Sequence, residues 1–174
     1  DATTPVVLMG YLNPVEIRGA EGFAAAAAEA GVDAVLLVDL PPEEADELRA
    51  AVAARQLALV LLASPTTPQA RIQRLCRDAA GYLYYVSFNG VTGANQLLDI
   101  DAASGRLRQL RQASPVPVVA GFGINDAASA AAMAVDADGV VVGSALVAAL
   151  ATSADPAAAA GAFLVPLRKA LDAL

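Results

Sequence analysis

Apolar and polar positions along the chain follow two alternating patterns. Short apolar runs rich in Val, Leu and Tyr occupy residues 5–11, 32–40, 57–63, 82–87, 116–121 and 138–142. Each is too continuous for a strand with one wet face and reads as a buried strand of a parallel sheet. Between them lie longer segments that predict helices: about 20–30, stopped by Gly31; 41–56, opened by Pro41-Pro42-Glu43-Glu44; 69–80, stopped by Gly81; about 103–112; 127–134; 145–150; and a last helix from Asp155-Pro156. Glycine past a helix end, and proline or acids in its first turn, are the expected boundary residues. Asn13-Pro14 reads as a turn, and Pro166 should kink or interrupt the last helix.

About six β/α units with short connections result, which calls for a parallel sheet with right-handed crossovers, hence an α/β protein. Two strand exits stand out. Gly121-Phe122-Gly123 and Gly143-Ser144 each close an apolar run and lead into a helix, a pattern that presents backbone N–H groups to an anion. Gly121-Phe122-Gly123 lacks the third glycine of the dinucleotide fingerprint. In a (β/α)8 barrel, the loops after the last two strands commonly hold a phosphate. The alternative is a doubly wound open sheet. The glycine pair lies on the last two strands and the chain begins within a strand, so the favoured fold is a (β/α)8 TIM barrel lacking roughly its first two β/α units. Residues 1–174 then form a single, incomplete barrel domain with its phosphate site at the C-terminal ends of the last strands. Such a chain exposes apolar strand edges.

Composition narrows the function classes. Apolar residues make up 57% and charged residues 17%, which excludes a disordered tail. A net charge of -7 with no basic run argues against a nucleic-acid surface. The chain contains no histidine, so imidazole catalysis and most zinc sites are excluded and no metal is expected. Its one cysteine, Cys76, falls at a helical position among arginines and permits no internal disulfide, which fits a reducing, cytoplasmic setting. No apolar run is long enough to span a bilayer. The basic residues are nearly all arginine, and this bias carries little functional weight.

Six segments in order carry a family resemblance: Met9-Gly10-Tyr11-Leu12-Asn13-Pro14, Gly31-Val32-Asp33-Ala34, Val38-Asp39-Leu40-Pro41, Tyr82-Leu83-Tyr84-Tyr85-Val86-Ser87 with Gly90-Val91-Thr92-Gly93, Gly121-Phe122-Gly123-Ile124, and Val142-Gly143-Ser144-Ala145. Together they resemble the alpha subunit of tryptophan synthase, of which the chain corresponds to about the C-terminal two thirds. The resemblance implies a carbon-carbon lyase that cleaves indole-3-glycerol phosphate to indole and glyceraldehyde 3-phosphate in tryptophan biosynthesis. It also implies an alpha2beta2 assembly, in which indole passes to a beta subunit that holds pyridoxal phosphate; no cofactor is expected in this chain. Carried over residue by residue, Gly93, Gly123, Gly143 and Ser144 match the phosphate-binding positions. Phe122, Tyr84, Met9, Leu36 and Leu62 match the substrate pocket, Thr92 the closing loop, and Asn13 and Pro41 the beta-subunit contact.

The reaction needs one carboxylic acid to protonate indole C3 and further proton transfers from a glycerol hydroxyl and the indole N–H. In the family these acids are a glutamate and an aspartate whose expected positions precede Asp1, so the chain as it stands is expected to be inactive alone. Asp33 opens a strand, away from the catalytic end. Asp39 closes one and reads as an interface or loop-anchoring acid. The loop after the fourth strand departs from the family at Phe88, Asn89 and Asn95. The competing readings are a non-catalytic module that binds a phosphate ligand or docks a beta subunit, or another phosphate-binding α/β enzyme.

Overall fold

The computed structural model describes residues 3–86, 100–121 and 123–174. They fall into two compact units. The first contains strand β1 (Val7–Gly10), helices α1 (Asn13–Arg18) and α2 (Ala20–Glu29), strand β2 (Ala34–Leu37), helix α3 (Asp46–Ala54), strand β3 (Ala58–Ala63) and helix α4 (Gln69–Asp78). Its strands run parallel in chain order, with Val7 opposite Ala34, Met9 opposite Leu36, and Leu36 opposite Val60. All four residues of β2 are buried, as the continuous apolar run requires of a central strand.

The second unit holds all of strand β4 (Leu83–Val86) but its first residue, then helix α5 (Ile100–Ala113), strand β5 (Val118–Gly121), helix α6 (Ala127–Ala134), strand β6 (Gly139–Val141), and helices α7 (Ser144–Ala151) and α8 (Pro156–Asp172). Its strands also follow chain order, and β5 pairs parallel with β6, Val119 opposite Gly139. Neither unit contains the reversal of strand order that marks a doubly wound sheet.

One local device recurs in both units. The residue before β2, Asp33, donates its amide to Val6 O (2.9 Å) and accepts the Val6 amide on its carboxylate (2.7 Å). The residue before β6, Asp138, does the same with Val118, at 2.8 Å and 2.8 Å. Each aspartate thus satisfies an amide at the start of the preceding strand, Val6 just before β1 and Val118 first in β5, and helps fix the register of the pair. Arg111 holds Asp138 from α5 at 2.9 Å.

Core packing follows from small residues. Ala24 and Ala27 are the buried positions of α2, so that helix approaches closely with little side-chain entropy to lose. On α4, Ile72, Leu75 and Cys76 form the buried stripe, spaced at helical period. Burial raises the Cys76 thiol pKa, which matches the expected structural, unreactive position. Arginines of α3 and α4 cross-link the two helices outside this stripe: Arg49 and Arg74 both reach Asp46 and Asp78. The exposed apolar edge expected of the first strand is present on both faces of β1, with Leu8 41% and Met9 52% exposed.

Three expected boundaries need correction. Asn13-Pro14 is not a turn but the start of α1, where proline in the first turn forfeits no hydrogen bond. Pro41-Pro42-Glu43-Glu44 forms a turn, closed by the Glu44 amide on Pro41 O at 3.0 Å, and α3 begins only at Asp46. Pro166 does not interrupt α8, which is continuous over 17 residues. Both Pro166 and Ala162, whose carbonyl loses its helical partner, are exposed, a position where the loss costs little because solvent is at hand.

Asp136 gives the second unit a pH dependence. It is 7% exposed and accepts from Arg108 Nε at 3.0 Å and Nη2 at 3.3 Å. That pairing holds its carboxyl below the ordinary aspartate range, against the opposing effect of burial. A depressed folded pKa contributes stability that is present above the unfolded value, about 3.9, and is lost as pH falls through the folded one. Urea titrations of Asp136→Asn should therefore show about 1 kcal/mol less stability at pH 7 and a shallower loss of stability below about pH 4 than the parent.

Candidate anion site at the strand ends

The carboxyl ends of β5 and β6 lead into α6 and α7 through short turns in the same unit. At the end of β5 the chain has no room for a side chain. A Cβ at Gly121 would overlap Oη and Cζ of Tyr84, the buried β4 tyrosine. The phenol thus occupies the space beside the β5 backbone, which explains why glycine stands first in Gly121-Phe122-Gly123. Gly123 is exposed and has φ 75°, a left-handed conformation that turns the chain away from the strand.

Helix starts differ in what fills them. Asp126 caps α6 in a reciprocal box, accepting from the Ser129 amide and hydroxyl, each at 2.7 Å, while Ser129 Oγ accepts the Asp126 amide at 3.2 Å. The bond from the Ser129 amide is the main cause of the lowered Asp126 pKa, so a fixed negative charge already sits there. Asp155 caps α8 in the same sense, accepting the Ala158 amide at 3.0 Å. By contrast α7 has Gly143 at its cap and no side-chain cap bond. The first α7 amide with a helical acceptor is Val147, to Gly143 O at 3.0 Å. The amides of Ser144, Ala145 and Leu146 therefore lie in the turn that a helix leaves without internal acceptors, at the positive end of its dipole. Gly143 has open space where a Cβ would stand, and Ser144 is exposed. Of α6, α7 and α8, only α7 is free of a carboxylate cap, and it begins with a hydroxyl. Uncapped helix starts of this kind are where anions commonly bind.

Gly123, Gly143, Ser144 and Tyr84 thus fall in the second unit. Gly93, Thr92 and Phe122 lie outside the described residues. The apolar trio Met9, Leu36 and Leu62 belongs to the first unit. Met9 and Leu36 are register partners, and Leu62 lies two residues beyond Val60, the partner of Leu36, so strand alternation puts all three on one face of the β1-β2-β3 sheet. Leu36 is 1% exposed and Met9 52%. Asn13 opens α1 in the connection after β1, and half-buried Pro41 follows β2. Asp39 joins those connections by accepting the Leu12 amide at 2.7 Å, in line with an anchoring acid. The sequence reading passed over Asp126, although Asp-x-x-Ser before a helix is a recognisable capping signature.

Among the described residues, no group of three or more His, Cys, Asp or Glu side chains is placed to hold a metal ion, and no helix is long and apolar enough to cross a membrane.

These features define a β/α protein of parallel strands in which the helix start after β6 has no side-chain cap. The sequence model of the tryptophan synthase alpha chain matches residues 1–169. The alpha chain of Xanthomonas oryzae pv. oryzae (strain MAFF 311018) is 70% identical over 175 aligned residues, covering 99% of this chain and 65% of that protein. Among solved structures, the alpha chain from Legionella pneumophila subsp. pneumophila superposes with a TM-score of 0.86 at 42% identity, over 100% of this chain and 65% of the other. The tryptophan synthase a2b2 complex of the hyperthermophile Pyrococcus furiosus gives 0.84 at 32% identity, over 97% of this chain and 68% of the matched one. The chain belongs to the tryptophan synthase alpha chain family, and its parallel strands and helices superpose on part of the fold of that family's solved alpha chains. It spans about 65% of the length of the curated relatives it matches.

The Tyr84 contact makes a coupled prediction. Gly121→Ala should destabilise the protein by about 1–3 kcal/mol through overpacking. In a Tyr84→Ala background the same change should cost close to nothing, because the overlapping ring is gone. Denaturant titration of the four proteins checks this, and equal costs in both backgrounds would show that the ring does not set the constraint.

Proposed function

We propose that the protein acts as a tryptophan synthase alpha-type lyase, cleaving indole-3-glycerol phosphate to indole and glyceraldehyde 3-phosphate. The observation that carries this reading, within a chain of this family, is the α7 start, with an uncapped first turn behind Gly143 and Ser144 while the neighbouring helices carry aspartate caps. The substrate phosphate docks there, with Gly123 and Gly93 as further backbone donors. Phosphate binding fixes the substrate at the end remote from the reacting bond, and so supplies orientation for the chemical step. Met9, Leu36, Leu62, Tyr84 and Phe122 are the proposed indole-side wall.

Cleavage breaks the bond between indole C3 and the glycerol chain. A carboxylic acid delivers a proton to C3, and a carboxylate accepts from the indole N–H as the ring polarises. The neighbouring glycerol hydroxyl gives up its proton as its carbon becomes the aldehyde, and the carboxylate left after protonation of C3 takes it up, so no net proton is gained or lost. No residue of the 174 is assigned these proton transfers; they fall to the glutamate and aspartate of the whole protein. Asp39 is engaged with the Leu12 amide and has the anchoring role. Thr92 is assigned to the loop that closes over the substrate.

The partner we propose is a tryptophan synthase beta subunit in an alpha2beta2 assembly, met through the connections that carry Asn13 and Pro41. Pyridoxal phosphate is assigned to that partner, and the setting is the cytoplasm. Indole release by the full-length protein tests the reading: Ser144→Ala should raise KM for indole-3-glycerol phosphate roughly tenfold, one lost charge-assisted hydrogen bond, while Asp39→Asn leaves turnover measurable. Full-length protein that binds an indole-alkyl phosphate yet releases no indole would instead mark a non-catalytic binding module.

A further inference from the structure

The connections after β1 and β2 are joined by a bond that the strands themselves do not supply. The two strands pair from Val7 opposite Ala34 to Gly10 opposite Leu37, and one further backbone bond follows, from the Val38 amide to Gly10 O at 3.0 Å. Beyond it the Asp39 carboxylate takes the next place and accepts the Leu12 amide at 2.7 Å. Leu12 is the cap residue of α1, and its carbonyl accepts the Val15 and Glu16 amides at 2.8 and 3.0 Å. That cap makes no side-chain bond, and Val15 is the one buried residue of the helix. A short helix with a shallow footing is thus fixed at its first turn by an acid on the next connection. All of these residues lie in the first unit.

The connection after β2 is the firmer of the two. Its turn is closed by the Glu44 amide on Pro41 O at 3.0 Å and seated by buried Pro42 and Ala45. A carboxylate that accepts an amide makes a charge-assisted bond, stronger than a neutral one, so Asp39 ties the start of α1 to this firmer side. The tied segments carry Asn13, exposed at the start of α1, and Pro41, two residues past Asp39. We infer, on the partner reading given above, that Asp39 is a positioning residue for docking of the beta subunit: it holds the α1 start and the Pro41 turn as one preformed surface. A surface ordered before binding loses less conformational freedom on association, so the tie adds to affinity without touching the partner.

Calorimetric titration of the full-length protein with a tryptophan synthase beta subunit tests the role, at a temperature where all variants are folded. Asp39→Ala removes the acceptor and should raise Kd roughly tenfold, whereas Asp39→Asn keeps an oxygen for the Leu12 amide and should stay within about threefold of the parent. Asp33→Ala deletes the comparable bond to the Val6 amide at the other end of the same strands and should leave Kd unchanged, which separates positioning from a general loss of stability. Unchanged Kd in Asp39→Ala, or an equal rise in Asp33→Ala, overturns the inference. Equal losses in Asp39→Ala and Asp39→Asn overturn it too, because the charge itself would then meet the partner. A parent protein with no measurable affinity for the beta subunit would reject the partner reading, and the inference with it.

Discussion

Parallel pairing is the constraint on which the other features depend. Within each unit, successive strands point the same way, so their carboxyl ends share one side and their amino ends the other. Stability and chemistry are thereby separated. At the amino ends, Asp33 and Asp138 use their carboxylates to satisfy strand amides and set register. At the carboxyl ends of β5 and β6, the chain spends glycines on close approach and turning, and leaves one helix start unfilled. A carboxylate on either side therefore has a legible purpose from its position alone.

The distribution of caps then selects where an anion goes. Helix starts attract negative charge whatever its source, and an aspartate already in place both satisfies the amides and repels a phosphate. With Asp126 on α6 and Asp155 on α8, the proposed place for an external anion among these three helices is α7. At the end of β5, Tyr84 excludes any side chain from Gly121. The proposed phosphate grip thus rests on a glycine at Gly143, on the absence of a carboxylate cap at α7, and on one close-packed aromatic.

Much of this was legible in the sequence. The six strands follow from continuous apolar runs, and Gly31, with its φ of 79°, stops its helix as glycine should. The extra helix after Gly143 and α6 fall almost where the small-residue runs put them. Proline was the weak point, because its local preferences allow more than one outcome. Pro14 suits a first helical turn as well as a β-turn, Pro42 suits a turn ahead of a helix as well as its start, and Pro166 lies on an exposed face where solvent is at hand for the carbonyl that loses its bond. The glycine pair at the strand ends was visible as a candidate site. What local sequence does not encode is which residues meet: the Tyr84 ring over Gly121, Asp39 on the Leu12 amide, and Arg106 on Thr67 O link positions far apart in the chain.

The central claim is that the first turn of α7 holds the substrate phosphate. A crystal structure of the full-length protein with indole-3-glycerol phosphate or a non-cleavable indole-alkyl phosphate tests it most directly. The account predicts phosphate oxygens accepting from the Ser144 amide and hydroxyl, with Gly143 in close approach. A phosphate bound at another helix start or strand end, with the α7 turn left to solvent, would contradict it.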